Sequence, residues 1–340
     1  MRIMYNASMA NHTSQIATER RDDPNIRDRR LRVAVLVPCY NEDATIGTVV
    51  TDFRAALPDA SIYVYDNNST DDTIKVAEQA GALIRREHQQ GKGHVVRRMF
   101  ADIEADVYVL VDGDDTYEAA AAPRLVARVL DNGLDLLTAK RVATSGEAYR
   151  FGHQFGNWLL TTLVAGSFGS RVSDMLSGYR VLSRRFVKSF PILSGGFEIE
   201  TELTVHALEL GMPQDEVETV YKERPEGSDS KLNTYKDGAR ILQTIVVLLK
   251  EERPLAFFTV LFAILSFSSV LLAWPIFVTF LATGLVPRIP TAILSTGLML
   301  LAFLSLASGM ILDTVTRGRR ELKRLSYLRI PGPDARRFGE

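Results

Sequence analysis

The chain has 340 residues, 46% hydrophobic and 24% charged, with a net charge of −1. That length suits one sizeable α/β domain plus something smaller, and the near-balanced charge gives no global field that would favour nucleic acid. The single cysteine, Cys39, excludes an intrachain disulfide, in keeping with a reducing compartment. The average hides a split: residues 1–252 carry most of the charge, and residues 255–313 are nearly devoid of it.

Residues 1–30 include "ATERRDDPNIRDRR", which is too polar to enter a bilayer and too poor in apolar residues to fold alone. They read as a flexible leader. The first ordered element is expected at "LRVAVLVP", Leu31 to Pro38, a continuous β-branched run typical of a strand buried on both faces. A helix is expected from about Ala44 to Ala56, and a second strand at "SIYVYD", Ser61 to Asp66. "STDDTIKVAEQAG" opens with a capping signature and ends on Gly81. Further strands are expected in "DVYVLVDGDD" (Asp106 to Asp115) and "LDLLTAKR" (Leu134 to Arg141). Strands alternating with helices imply right-handed βαβ units and a mostly parallel sheet.

Polar residues follow those strands directly: Asn41 and Glu42, then Asp66, then Asp112 and Asp114. In open α/β sheets ligands bind at the carboxyl ends of the strands, so these loops are expected to meet in one cleft. Turns favour Asp and Asn for their own reasons, and one such loop would carry little weight. Asp112 and Asp114, spaced by one residue after a buried strand, make a hard-oxygen site for Mg²⁺ or Mn²⁺. Such an ion would hold a diphosphate and neutralise charge as it leaves. In "VPCYNE", Pro38 ends the strand, Tyr40 can stack on a base, and Asn41 and Glu42 offer polar edges. Asp66 can accept from a base or ribose, although the Asn67–Asn68–Ser69 stretch also reads as a plain turn. Lys92 stands between two glycines ahead of a helix. The segment is no Walker A loop, and nothing else in the chain supports a dinucleotide cofactor. Its backbone can approach a nucleotide, or it is an ordinary turn.

Leu255 to Leu281 and Ala292 to Leu312 contain no charged residue, and each is long enough to cross a bilayer as a helix. The Pro-containing "ATGLVPRIPT" between them predicts a hairpin. Lys250 and Arg253 flank the first span, and Arg317, Arg319, Arg320, Lys323 and Arg324 follow the second, against Arg288 alone in the connection. The positive-inside rule then puts the larger domain and both termini in the cytoplasm, and the chain in the cytoplasmic (inner) membrane. Before the first span, Ile241, Leu242, Ile245, Leu248 and Leu249 repeat at helical spacing, the pattern of an amphipathic helix in the interface or of a core helix.

"VPCYNE", "VYDNNSTDDT", "GKG" and "VDGDD", in this order and spacing, resemble the inverting family 2 glycosyltransferases of GT-A fold. "DMLSGYRVLSRR", "GFEIETEL" and "RPEGSDSKLN" resemble the dolichyl-phosphate mannose synthase and bacterial polyprenyl-phosphate glycosyltransferase branch. The similarity spans about residues 31–250. It implies an α/β, Rossmann-like, mostly parallel GT-A domain at 31–232; the charge and hydropathy pattern adds a juxtamembrane amphipathic helix at 233–254, a transmembrane hairpin at 255–313 (255–281 and 292–312) and a basic cytoplasmic tail at 314–340. It also implies residue roles. Pro38, Tyr40, Asn41, Glu42, Asp66, Asn68, Lys92, Asp112 and Gly113 would hold the nucleotide. Asp112 and Asp114 would bind the metal. Arg141, Arg150, Arg180 and Lys231 would face the acceptor phosphate, with Asp112, Asp114 and Arg141 carrying catalysis. Relatives often carry Gln two residues after the second Asp, where this chain has Thr116, which leaves the third protein ligand open.

The implied partners are a nucleotide-sugar, expected to be UDP-linked, a polyprenyl phosphate and the membrane. A homo-oligomer is compatible with this reading, and nucleic acid is not expected. Processive polysaccharide synthases would share the nucleotide motifs but carry a Q-x-x-R-W signature, and this chain has no Arg-Trp pair. A non-catalytic scaffold of the same fold would be expected to lose the acidic pair or the basic residues, and both are kept. The five histidines show no metal-ligand spacing.

Overall fold

The computed structural model describes residues 31–143, 173–191, 196, 198–222, 246–247, 250–251 and 253–333. The expected leader, Arg150, Lys231 and most of the expected juxtamembrane helix lie outside the described residues; 246–247 and 250–251 are helical.

The sequence patterns build a three-layer α/β/α domain. In chain order it runs β1 (Val33–Cys39), α1 (Ile46–Ala56), β2 (Ser61–Asp66), α2 (Thr73–Gln79), β3 (Leu83–Arg86), α3 (Lys92–Asp102), β4 (Val107–Leu110), α4 (Ala122–Asp131), β5 (Leu136–Ala143), β6 (Arg180–Ser183), α5 (Arg184–Ser189), α6 (Ile199–Leu210) and β7 (Gln214–Tyr221). The sheet order is β3-β2-β1-β4-β6-β5-β7. β1 pairs in parallel with β2 and β4, β2 with β3, and β5 with β7, while β6 runs antiparallel to both β4 and β5. Every strand but β6 therefore points the same way, as the alternation of strands and helices requires.

β1 shows why the sheet is central. Val35, Val37 and Cys39 pack on one face with Ile46, Val50 and Phe53 of α1 and Val129 of α4. Ala34 and Leu36 pack on the other with Val96 and Met99 of α3 and Leu203 of α6. Each fully buried Val or Leu contributes about 1.5–3 kcal/mol, so a run apolar on both faces is held between two helical layers.

Three strands escaped the sequence reading for different reasons. β3 ("LIRR") is a short, largely exposed edge strand. β6 ("RVLS") is short and opens on a charged residue, although all of it is buried. β7 ("QDEVETVY") carries charges outward because it is the other edge. The expected side-chain cap of α2 also differs: its N-cap residue Asp72 makes no capping bond. Asp71 does the work one residue earlier, accepting from Thr73 N (3.0 Å) and Thr73 Oγ1 (2.5 Å).

α7 (Pro254–Thr283) and α8 (Ile289–Leu328) are the two apolar helices, long enough and apolar enough to cross a membrane. They pack together through small residues and hydroxyls. Ser269 Oγ donates to Ser295 O (2.7 Å) and Ser305 Oγ to Phe258 O (3.2 Å). A Cβ on Gly309 would lie 2.7 Å from Phe258 Cβ, so only glycine permits that approach.

The second helix runs well beyond its apolar stretch. The segment read as a basic tail from 314 continues α8 as helix to Leu328. That stretch returns to the α/β domain. Arg320 Nε and Lys323 Nζ bind the Glu209 carboxylate at 3.1 and 2.6 Å. Tyr327 joins the core layer beneath α5 and α6.

His206 of α6 sits in that same layer, between Phe186 (ring centroids 5.4 Å apart) and Phe190 (4.9 Å). Burial, helped by the nearby positive charge of Lys323, pushes its pKa down to about 3. The ring is neutral in the fold but takes up a proton below about pH 6.5 once the chain unfolds. Its stabilising contribution is therefore complete above pH 6.5 and declines as the pH falls towards 3. Melting temperature, followed by circular dichroism, should drop between pH 6.5 and 4, and His206→Leu should flatten part of that slope. An unchanged slope would assign the acid sensitivity to other groups.

Candidate active site

The loops after β1, β2, β3 and β4 are tied into one surface at the carboxyl edge of the sheet. Asn67 N donates to Cys39 O (2.9 Å), Asn41 N to Ser69 Oγ (2.9 Å) and Glu42 N to Thr73 Oγ1 (2.8 Å). Thr70 N donates back to Asn41 Oδ1 (2.8 Å). Asn67 Nδ2 reaches the Glu87 and Gln89 carbonyls, both at 2.8 Å, and Gly91 N donates to Asn67 Oδ1 (2.7 Å). Thr45 Oγ1, at the start of α1, holds Gly113 O (2.7 Å). Among the described residues the non-glycine positions with positive φ are Asn41 (52°), Asn68 (66°) and Asp115 (53°), all in these loops. Strained backbone of this kind persists only where surrounding contacts impose it, and it clusters at functional sites.

The expected nucleotide residues gather along this edge. Pro38 is half-buried in β1, Tyr40 is exposed, and Asn41 and Glu42 follow. Asp66 is buried, and its carboxylate accepts from Ser69 N (3.2 Å), so here it closes the turn. Asn68 is exposed and donates to His88 O (3.0 Å).

The acidic loop is built around a charge cluster. Lys92 Nζ lies 2.5 Å from both Asp112 Oδ1 and Glu200 Oε1. Burial alone would lower the ammonium pKa, but the two carboxylates outweigh it and raise it above the ordinary lysine value. Asp114 is buried, and its Oδ1 accepts from Thr116 Oγ1 (2.6 Å). Thr116 thus serves as an outer partner of the second Asp. Two glycines make room: a Cβ on Gly178 would lie 2.1 Å from Asp112 Oδ2, and one on Gly113 would lie 2.7 Å from Cys39 Sγ.

The Lys92 ammonium already rests on Asp112 Oδ1, and Gly178 leaves the other carboxylate oxygen space that a Cβ would fill. Among the described residues no group of three or more His, Cys, Asp or Glu gathers to hold a metal alone. The donor set therefore suits an ion shared between one or two carboxylates and phosphate oxygens, the usual way Mg²⁺ is held.

The basic residues divide. Arg141, at the carboxyl end of β5, is fixed by Asp174 in a two-pronged pair, Nε–Oδ2 2.8 Å and Nη2–Oδ1 2.7 Å, and lies over the Tyr221 ring at 5.5 Å. Burial pushes the Asp174 carboxyl up, but Arg141 outweighs that and holds it below the ordinary carboxylate range. Tyr221 stacks edge-on with Tyr117, and Tyr117 with Tyr179. Arg180, expected to face a substrate phosphate, is instead fully buried. Its guanidinium donates to Ser177 O (3.0 Å), Thr204 Oγ1 (2.8 Å) and Met175 O (2.7 Å). It pins the segment that carries Asp174 and Gly178, and so positions the site from beneath. Asp174, Gly178 and Glu200 escaped the sequence reading as site residues. They lay inside the quoted stretches "DMLSGYR" and "GFEIETEL", but a lone carboxylate or glycine has no spacing that marks its role.

Comparison with known proteins now decides the family. Residues 34–190 match the profile of Glycosyl transferase family 2. The chain is 36% identical over 229 residues to the Glycosyltransferase AglJ of Haloferax volcanii, covering 75% of that protein and 66% of this chain. The chain belongs to glycosyltransferase family 2. It is an enzyme of that family with the GT-A fold. It is also 27% identical over 221 residues to a dolichyl-phosphate hexose transferase of Haloferax volcanii, covering 95% of that protein and 65% of this chain. Among solved structures it is similar to glucosyl-3-phosphoglycerate synthase of Mycobacterium tuberculosis in complex with Mn²⁺, UDP-glucose and glycerol 3-phosphate. The TM-score is 0.52 at 26% identity, over 65% of this chain and 79% of that one.

The Asp112 cradle gives a test within this family 2 enzyme. The Asp112 carboxylate is the end of a short side chain, so it can swing away from an added methyl without unfolding the domain. Gly178→Ala should leave the domain folded but lower its melting temperature, by about 2–4 °C for each kcal/mol lost, because Asp112 must also part from Lys92. It should reduce glycosyl transfer by about 10²-fold, the scale for displacing one positioned group. Equal activity in Gly178→Ala would remove Asp112 from the chemistry.

Proposed function

We propose that this glycosyltransferase moves a sugar from a nucleotide-sugar, UDP-linked by preference, to a polyprenyl phosphate at the cytoplasmic face of a membrane, with inversion. One observation carries the lipid acceptor: the α/β domain is continuous with two apolar helices whose sides are exposed, Phe267 at 71% and Leu281 at 69%. A soluble core helix would bury such side chains. The dolichyl-phosphate hexose transferase among its relatives supports the same acceptor class.

The chemistry follows from charge. A phosphate monoester is already ionised near neutral pH, so one of its oxygens attacks the anomeric carbon without a strong general base. The new C–O bond forms as the bond to the nucleoside diphosphate breaks, and one displacement inverts the centre. Pro38, Tyr40, Asn41, Glu42, Asp66, Asn68, Lys92 and Gly113 form the nucleotide side. Asp112 and Asp114 would hold a Mg²⁺ or Mn²⁺ ion with the diphosphate, which supplies charge neutralisation at the leaving group. Arg141, its plane set by Asp174, presents a cation at the edge where the acceptor phosphate would meet the donor. Arg150 and Lys231 are further acceptor candidates; Arg180 is withdrawn from that role, because it is fully buried within the domain.

Asp114→Asn should abolish transfer with little loss of stability, and EDTA should stop the unsubstituted enzyme until Mg²⁺ or Mn²⁺ is returned. Full activity in EDTA would end the metal assignment. Arg141→Ala should lower transfer by about 10²-fold or more, with UDP affinity by calorimetry kept within a few-fold. Arg141→Lys should recover only part of that, because the planar fork that meets Asp174 is lost. If Arg141→Ala abolishes UDP binding, the residue belongs to the diphosphate site. The acceptor itself is tested by incubating the full chain with a panel of nucleotide-sugars and a short polyprenyl phosphate, with mass spectrometry of the lipid. Transfer confined to a soluble phosphorylated acceptor would overturn the lipid reading.

A further inference from the structure

The cytoplasmic end of α8 makes a set of contacts that membrane anchoring alone does not require. Asp313 is the first charged residue after the apolar stretch of α8, and the helix continues without interruption to Leu328. At 1.5 Å per residue, Arg320 stands about 10 Å, Lys323 about 15 Å and Tyr327 about 21 Å beyond Asp313. Each of the three contacts the α/β domain.

Glu209, near the end of α6, has a side chain only 2% exposed, and both of its carboxylate partners, Arg320 and Lys323, come from α8. Asp135, just ahead of β5, has a fully buried side chain. It accepts from Ser183 Oγ (2.6 Å), Arg185 Nε (3.0 Å), Arg185 Nη2 (2.7 Å) and Tyr327 Oη (2.8 Å). The Arg185 guanidinium also lies 4.3 Å from the Tyr327 ring centroid. Buried carboxylates are tolerated only when charges and hydrogen bonds satisfy them, so these contacts fix geometry rather than brush the surface. On the membrane side, Thr316 Oγ1 and Arg319 Nη2 both donate to Glu251 O at 3.2 Å, closing α8 onto the segment that leads into α7. The dock lies at the amino ends of the parallel strands. Glu200 and Glu209 lie at opposite ends of α6, nine residues and about 13 Å apart along its axis, so α6 separates the grip from the charge cluster.

We infer that the cytoplasmic end of α8 is a rigid strut that sets the height and rotation of the catalytic domain over the bilayer. Glu209, Asp135, Arg185, Arg320, Lys323 and Tyr327 are then positioning residues for transfer to a membrane-embedded acceptor. The inference rests on the membrane reading above. A domain held only by flexible chain would sample many orientations; a helix running from the bilayer into a buried ion-pair network leaves one.

The test uses the full chain in vesicles. Asp59→Cys on an exposed turn carries a fluorescent donor, Cys39 being buried, and headgroup-labelled lipid supplies the energy-transfer acceptor. Glu209→Arg places a third positive charge against Arg320 and Lys323. It should broaden the donor-to-bilayer distance distribution and cut transfer to polyprenyl phosphate in those vesicles by about tenfold or more. UDP affinity by calorimetry and transfer to a short-chain phosphate in detergent should stay within twofold. Tyr327→Phe, which keeps the ring, should give a smaller effect in the same direction. The triple exchange Glu209→Arg with Arg320→Glu and Lys323→Glu should restore both readouts. An unchanged distance distribution overturns the strut. A broadened distribution with full vesicle activity overturns its positioning role, as does equal loss in vesicles and in detergent. If the unsubstituted enzyme glycosylates no polyprenyl phosphate, the acceptor reading fails, and the same comparison is made with the acceptor that receives sugar.

Discussion

One strand running the wrong way organises the site. β6 enters the sheet between β4 and β5, with Arg180 opposite both Leu110 and Thr138. Because it is reversed, the chain that precedes it arrives at the carboxyl edge of its neighbours, where every βα loop also ends. Gly178 therefore lies against Asp112, and Asp174 reaches Arg141. A parallel strand in the same slot would deliver that segment to the opposite edge. Arg180 makes the arrangement durable, tying Met175 and Ser177 to Thr204 of α6 from inside the domain.

The charges at this edge are placed in pairs whose members come from distant parts of the chain. Lys92 joins the β4 loop to α6, and Arg141 joins β5 to the segment before β6. In a partly desolvated setting such pairs set orientation strongly, because a side chain that leaves its partner forfeits far more than it would in water. The edge-on ladder of Tyr179, Tyr117 and Tyr221 stiffens the wall beside Arg141, and Tyr117 Oη receives Gly178 N at 2.8 Å. A site assembled this way is held in place by the chain's own contacts, the preorganisation on which electrostatic stabilisation depends.

Much of this was legible in the sequence. The buried strands β1, β2, β4 and β5 announced themselves by continuous apolar runs, and the polar residues after them do meet at the carboxyl edge of the sheet. The apolar helices were plain from the absence of charge. What stayed hidden depended on tertiary placement. The charged surfaces of β3 and β7 are edge positions, a property of sheet order that no local pattern encodes. Arg180 looked like a cation for a phosphate, and only the reversed direction of β6 puts its guanidinium inside the domain. Glu200 looked like one carboxylate on a helix and acquired meaning when α6 was laid beside Lys92. The basic run after the second apolar stretch read simply as a basic tail, since a sequence cannot say that Arg320 and Lys323 share one buried carboxylate.

The continuity of α8 also restricts how this protein can change over time. Each residue inserted between Asp313 and Arg320 would lengthen the helix by about 1.5 Å and turn everything beyond it by about 100°. One insertion would swing Arg320, Lys323 and Tyr327 off their docking face together. Lengths that keep the dock in phase come in near-whole turns, with seven residues, close to two turns, the smallest step that nearly restores the register. Spacing between the apolar stretch of α8 and the α/β domain is thus quantised by the helical repeat, and drift one residue at a time is closed to this stretch while loops elsewhere remain free to lengthen.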